Sequence, residues 1–257
     1  MTEKRIKFAV AEGIARITLA NPDKNNAMDL QFCREFGQVG IACETTPDIR
    51  VIVIDAEGEM FSVGGDIDDF VANKERVHPY ILDMATQIHI GVAALRRAPA
   101  PVIASINGMT AGGAFSLIAG ADVVIAKRSA KFNSAFTRSG LTPDAGGTYF
   151  FPRVAGFRKA FWIMATNPTL TAEDAEKIGL VSIVVDDDKL VEETERVARQ
   201  FAATPSEALC RLKTLFRASL DNALDEQLSL EARSVAAIAA TPTTLAKLEA
   251  FVAKRKG

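Results

Sequence analysis

SINGMTAGGAFSLIAG, residues 105–120, joins the end of a β-branched run to a segment that begins on two glycines and carries almost no polar side chain. A helix that is apolar all round is a buried helix, so the stretch reads as strand, tight loop and interior helix. The amides of Gly112, Gly113 and Ala114 would then point into a dry place unless a ligand meets them. The run before them, PVIASI (101–106), has counterparts in RVIVIDA (50–56) and ADVVIA (121–126). Each is short, rich in Val and Ile and bounded by turn residues, as in strands covered on both faces. Between them, Ile81, Met84, Ile88, Val92 and Leu95 recur at spacings of three and four, predicting an amphipathic helix over 80–97. Strand and helix alternating in this rhythm predict parallel pairing through right-handed crossovers.

The rest of the chain extends this frame in both directions. IKFAV (6–10) and IARITL (14–19) around AEG predict an opening hairpin, and helical periodicity runs from Asp29 to Cys43. After Gly156 the strand signal fades. TAEDAEKIGL (171–180) starts with a capping box, Thr171 with Asp174, and reaches Gly179 as a C-cap, and SIVVD adds one short strand. Helical stretches follow at about 187–203, 205–220 and 223–240, and a last one begins after Thr241-Pro242. The expectation is an α/β core over residues 1–200 and an all-helical region over 201–257.

Composition narrows the function classes. A hydrophobic share of 48% with 24% charged residues suits a globular enzyme rather than a disordered chain. A net charge of −2 provides no field for nucleic acid or an anionic membrane. MTEKRIKFAV lacks a secretory apolar core and no run approaches the ~18 residues of a membrane span, so a cytoplasmic location is expected. Cys33, Cys43 and Cys210 are too scattered for a disulfide frame and are expected as reduced thiols. With only His78 and His89, and no paired Cys or His motif, no metal site is expected.

A second glycine segment, FSVGGDI (61–67), follows strand 50–56 just as SINGMTAGG follows strand 101–106. Both lie beyond the C-terminal ends of strands, where open α/β sheets place ligands. Neither matches a nucleotide-binding glycine fingerprint. Their amides, one from each segment, could hold a developing oxyanion from two sides, where a single donor is worth about 2.7–4 kcal/mol in kcat. Tight turns and close packing would equally use such glycines. A third segment, TPDAGG (142–147), sets Asp144 between a proline and two glycines, either as an Asx-turn or helix cap or as a working carboxylate.

Five stretches in order decide more than any one of them. NPDKNNAMD (21–29), FSVGGDI, PVIASINGMTAGGAFSL, AKFNSAFTRSGLTPDAGGTYFFPRVAG (130–156) and FVAKRKG (251–257) resemble the crotonase superfamily, the enoyl-CoA hydratase/isomerase fold, over nearly the whole chain. The resemblance implies an α/β fold, a spiral of ββα units with an all-helical C-terminal region that builds a homotrimer or a dimer of trimers. It implies an acyl-CoA substrate, with coenzyme A entering as part of the substrate and no further cofactor. The thioester oxygen would sit between the amides of Gly65 and Gly113. The Val63 carbonyl would receive the adenine amino group, with Gly64, Asp66 and Ile67 beside it. Lys24, Phe251 and Lys254 would meet the nucleotide end.

The chain departs from the hydratases of that family at both catalytic glutamates, where it has Ser116 and Phe136. A hydroxyl is no base near neutral pH and a phenyl ring takes no proton. Asp144 falls where two branches of the family carry an aspartate. In the isomerases similar to 1,2-epoxyphenylacetyl-CoA isomerase it would shuttle a proton. In the 4-chlorobenzoyl-CoA dehalogenases it attacks the ring, helped by a histidine at the position of His89. The first expectation is an enoyl-CoA isomerase-like enzyme with Asp144 as acid–base and Phe136 as an apolar wall. Dehalogenase or thioester-hydrolase chemistry with His89 as base, and a non-catalytic acyl-CoA-binding protein, are the alternatives. His89 at the margin of an apolar helix face also suits simple packing.

Overall fold

The computed structural model describes residues 4–255, and the chain divides between Ala202 and Ala203 into two compact units. The first unit opens with the hairpin β1 (Ile6–Ala11) and β2 (Ile14–Leu19). Helix α1 (Leu30–Thr45) follows, with the Asp29 carboxylate accepting the Phe32 amide at 2.7 Å as its cap. Next come β3 (Val51–Ala56), α2 (Ile67–Ala72) and α3 (Val77–Arg97). The segment from residue 102 to 118 forms β4 (Val102–Ile106), β5 (Thr110–Ala111) and α4 (Gly113–Ile118). Beyond it lie β6 (Val123–Lys127), β7 (Lys131–Asn133), α5 (Gly147–Ala155), α6 (Phe157–Thr166), β8 (Leu170–Thr171), α7 (Ala172–Lys177), β9 (Ile183–Val185) and α8 (Leu190–Ala203).

The main sheet runs β1-β2-β3-β4-β6-β9, antiparallel at the hairpin and parallel in every other pair. A side sheet runs β5-β7-β8, and a parallel bridge from Ser62 to Thr110 extends it. The chain therefore gives one strand to each sheet and then a helix, turn after turn: β3, Ser62 and α2; then β4, β5 and α4; then β6, β7 and α5. That repetition is the ββα spiral.

Burial explains why the β-branched runs are continuous. On β3, Ile52 and Ile54 enter the main core, while Val51 and Val53 pack on the other face with Ile103, Ile125, Leu190 and Val197 beneath α8. β6 begins two residues later than the pattern suggested, because Asp122 caps the turn. Its carboxylate accepts the Val102 amide at 2.7 Å, which spends Ala121 and Asp122 on the approach. Helix α7 ends at Lys177 with Ile178 as its last half-turn residue, and Gly179, at φ +80°, closes it, its amide donating to the Glu176 carbonyl and the Leu180 amide to the Ala175 carbonyl, both at 2.9 Å.

Helix α3 is held against α1 by backbone contact. A Cβ on Gly40 would lie 2.7 Å from the Gly91 Cα, so neither position admits a side chain without separating the helices. Phe32 and Phe36 of α1 are fully buried in this contact, each contributing about 1.5–3 kcal/mol by burial. This fixes the outward face of α3, which forms one wall of the cavity described below.

The second unit consists of α9 (Ser206–Ala218), α10 (Leu224–Ala239) and α11 (Pro242–Lys254), the last capped by the Thr241 hydroxyl. Among the described residues no single helix is long and apolar enough to cross a membrane.

Candidate active site

Four segments distant in sequence build one cavity of about 610 Å³ in the first unit. Its floor is main chain. Gly65 comes from the loop before α2, and Gly112 and Gly113 from the start of α4. The two loops touch: a Cβ on Gly64 would lie 2.7 Å from the Ala111 carbonyl and 3.2 Å from the Gly113 nitrogen. Gly64 and Gly112 have φ of +84° and +54°, conformations in which a side chain would be strained. Among the described residues, neither the Gly65 nor the Gly113 amide donates a hydrogen bond. Helix α4 is only six residues long and entirely buried, so the Gly113 amide itself, not a long helix dipole, is the donor there.

Polar groups behind the loops hold them in place. The Met28 amide donates to the Gly64 carbonyl at 2.8 Å, and the Asp66 amide to the Met28 carbonyl at 3.1 Å. Asn26, almost wholly buried, accepts the Asn21 amide and donates to the carbonyls of Glu57 and Met60. The Ser62 hydroxyl donates to the Asn26 carbonyl and accepts the Gly64 amide. Neither Asn26 nor Ser62 stood out from the sequence alone. Polar residues embedded in NPDKNNAMD and FSVGGDI were the available signal.

Asp144 reaches the same floor. Its Oδ1 lies 3.6 Å from where a Cβ on Gly113 would stand. That oxygen is buried and has no hydrogen-bond partner among the described residues. Burial pushes the Asp144 pKa above the ordinary carboxylate value, and the neighbouring His89 and the residue's own amide offset this only in part. Burying a carboxylate oxygen without a hydrogen bond is expensive, and groups perturbed in this way cluster at functional sites. The capping alternative fails on geometry, since α5 begins at Gly147 with Gly146 at its N-cap and no side-chain bond.

The walls are apolar. Phe136 and Leu141 face Ile81, Leu82, Met84, Ala85 and Ile88 of α3, with Met28, Phe70 and Ile67 nearby. Phe70 lies against Gly65, at 2.8 Å from its would-be Cβ. Cys33 also lines the space. Burial first, then the Asp144 charge, pushes its thiol up to about 12, so it stays protonated. His78 stands among the lining residues on α3 and was not singled out from the sequence.

Several expected contacts fall elsewhere. Ser116 is buried but does not line the cavity. Its hydroxyl packs on Gly147, where a methyl would overlap it. Gly64 shapes the floor from behind without lining it. The Asp66 carboxylate is already committed, capping α2 through the Asp69 amide at 3.1 Å and pairing with Lys24 at 2.9 Å. Burial alone would push its pKa up, but Lys24 and the Asp69 amide outweigh this and hold it below the usual carboxylate range. Lys24 therefore faces solvent with one partner in place. Val63 and Ile67 line the cavity, both exposed at its edge. Phe251 and Lys254 belong to α11 in the second unit, where Phe251 is exposed, and Lys256 of the basic end lies outside the described residues. His89 is not in the lining; its Nε2 accepts the Ala145 amide at 3.1 Å. Among the described residues no cluster of three or more His, Cys, Asp or Glu could hold a metal ion.

Comparison with known proteins agrees with this architecture. The family model for enoyl-CoA hydratase/isomerase matches residues 9–257. The chain belongs to that family. A Rhodobacter capsulatus protein named "Probable enoyl-CoA hydratase" is 33% identical over 255 residues, covering 99% of this chain and 97% of its own length. The 1,2-epoxyphenylacetyl-CoA isomerase of Escherichia coli is 34% identical over 224 residues, covering 86% and 85%. The crystal structure of an enoyl-CoA hydratase from Polaromonas sp. JS666 superposes with a TM-score of 0.91 at 28% identity, covering 97% of each chain. The family's names thus include both hydratase and isomerase, and the choice rests on the side chains in the cavity.

Proposed function

We propose that this member of the enoyl-CoA hydratase/isomerase family is an isomerase of enoyl-CoA thioesters, with Asp144 moving the proton. The observation that carries the reading is the position of Asp144 Oδ1, buried, unpartnered and beside Gly113, where the family's hydratase glutamates are replaced by Ser116 and Phe136.

The thioester oxygen accepts from the Gly65 and Gly113 amides. The Asp144 carboxylate removes a proton from C2 of a 3-enoyl chain, and the electron pair moves onto the thioester oxygen as an enolate. The two amides stabilise that charge more than they stabilise the ground-state carbonyl. The enolate collapses to a 2,3 double bond as protonated Asp144 returns the proton to C4. One carboxyl with a raised pKa suits both halves, because its acid and base forms lie closer in energy near neutral pH. The apolar walls keep water from the enolate and carry the acyl group. No cofactor beyond the coenzyme A of the substrate enters the scheme.

The nucleophilic alternative is less well supported, because the Nε2 lone pair of His89 is engaged with the Ala145 amide and His89 does not line the cavity. The test is incubation of wild-type and Asp144→Asn protein with a 3-enoyl-CoA and with 4-chlorobenzoyl-CoA. Isomerisation lost in the variant supports the scheme; isomerisation that persists sinks it, and chloride release would favour the nucleophile.

Assembly as a homotrimer or a pair of trimers belongs to the same reading. It is supported by apolar side chains left exposed on the second unit, among them Phe216, Leu224, Val235 and Phe251.

A further inference from the structure

Asp144 stands at the first position of a four-residue turn closed by the Gly147 amide on the Asp144 carbonyl at 2.9 Å. Both central residues have positive φ, +48° at Ala145 and +81° at Gly146. This is the type I′ pattern, which favours Gly, Asn or Asp at its first central position. Gly146 adopts it freely, whereas Ala145 carries a Cβ into the left-handed region and is strained there. Strain of this kind persists only where the surroundings over-determine it. Ala145 is 1% exposed, so its N–H is sealed from solvent and needs a partner. The partner is His89 Nε2, across 56 residues of chain. His89 sits on α3, the same rigid helix that lines the cavity through Ile81, Met84, Ala85 and Ile88.

We propose that His89 is a positioning residue for Asp144, acting as a hydrogen-bond acceptor for the Ala145 amide and not as a base. Accepting at Nε2 places the ring proton on Nδ1 and leaves that lone pair unable to take a proton from water or substrate. The bond ties the turn to α3, so the carboxyl projects over Gly113 instead of relaxing with Ala145 into a right-handed conformation. The catalytic consequence rests on the assignment of Asp144 as acid–base; the anchoring itself does not.

The test compares His89→Ala, His89→Gln and the double variant His89→Ala/Ala145→Gly in turnover of a 3-enoyl-CoA, with amide hydrogen exchange followed at Ala145. Gln places an amide oxygen near the position of Nε2 but can neither carry charge nor act as a base. His89→Ala should lower kcat on the order of 10- to 100-fold, as misplacing a catalytic group does, with KM held within about twofold. It should also speed exchange at Ala145. His89→Gln should recover most of both, and Ala145→Gly in the Ala background should recover several-fold in kcat, because glycine holds the positive φ without strain. Equal impairment of Gln and Ala would overturn the proposal in favour of proton transfer by the imidazole, and unchanged exchange in His89→Ala would overturn it outright. Altered exchange without altered kcat would refute the catalytic consequence. If Asp144→Asn, assayed alongside, were also active, the fault would lie with the Asp144 assignment, whereas an inactive Asn variant would place it with the His89 link.

Discussion

Proline at position 113 isolates the contribution of one amide. Gly113 is the first residue of α4, with Gly112 as its cap, and the first helical position is where proline is best tolerated because its missing N–H has no intrahelical partner. Gly112, lacking a Cβ, spares the usual clash with a following proline ring. The substitution adds carbon as well as removing a donor, so Gly113→Ala serves as the reference. Its Cβ would lie 3.1 Å from Met28 Sδ and 3.6 Å from Asp144 Oδ1. The second distance is ordinary contact, and the thioether can give the few tenths of an ångström the first requires. The alanine variant should therefore stay within about tenfold of wild type, a loss of up to roughly 1.4 kcal/mol in the barrier. The proline variant should fall a further 10²–10³-fold or so, the 2.7–4 kcal/mol that one oxyanion donor supplies. The assay is formation of the conjugated enoyl thioester under saturating 3-enoyl-CoA, with thermal unfolding of both variants as a check on folding. If a folded proline variant turns over within threefold of the alanine variant, the Gly113 amide does not hold the enolate oxygen.

Asp144→Asn should lose at least about 10²-fold in kcat, and wild-type kcat/KM should fall on the acid side as pH drops through the raised Asp144 pKa. The stability sign is opposite to that of a salt-bridged aspartate. The folded pKa exceeds the unfolded one, so stability is highest below the unfolded value and is lost as pH rises through the folded value. The Asn variant should lack that loss and unfold at higher temperature than wild type at neutral pH. Ser116→Glu, which would restore one hydratase carboxylate, should instead destabilise by about 1–3 kcal/mol through overpacking against Gly147 and gain no hydration activity; chemical denaturation and a 2-enoyl-CoA hydration assay read both. Light scattering on the full chain should give the mass of three or six chains, and a monomer at micromolar concentration would exclude trimer and hexamer alike.

The strands were legible because burial on both faces removes polar residues from a run such as Val51–Ile54, and few other environments do. The helices were legible from their apolar spacing, with ends blurred by one to three residues, and the start of β6 was displaced where the Asp122 side chain takes over a turn. The location of the floor was legible too, since two glycine segments each following a strand must meet if the strands are neighbours, and β3 and β4 are. Individual contacts were harder. Ser116 follows Gly113 by three residues and was expected in the site, yet helix geometry turns it beneath Gly147. Asp66 looks available in FSVGGDI, but the same loop that presents Gly65 uses that carboxylate to start α2.

The least legible feature is the one that aims Asp144. Local propensity alone would give Ala145 a right-handed or extended backbone, whereas it stands at +48° with its amide bonded to a partner distant in sequence. No periodicity or motif connects position 89 to position 145; the link is made by α3, which lies directly on α1 at Gly40 and Gly91 and carries the His89 ring within hydrogen-bond reach of a buried amide. Oδ1 of Asp144 has no partner among the described residues, and the amide that favours the carboxylate is the residue's own. Its aim must come from the main chain that carries it, and the main chain must in turn be tied to something that does not move. In the proposed scheme the packing of two helices therefore serves the acid–base group, even though neither Gly40 nor Gly91 lines the cavity.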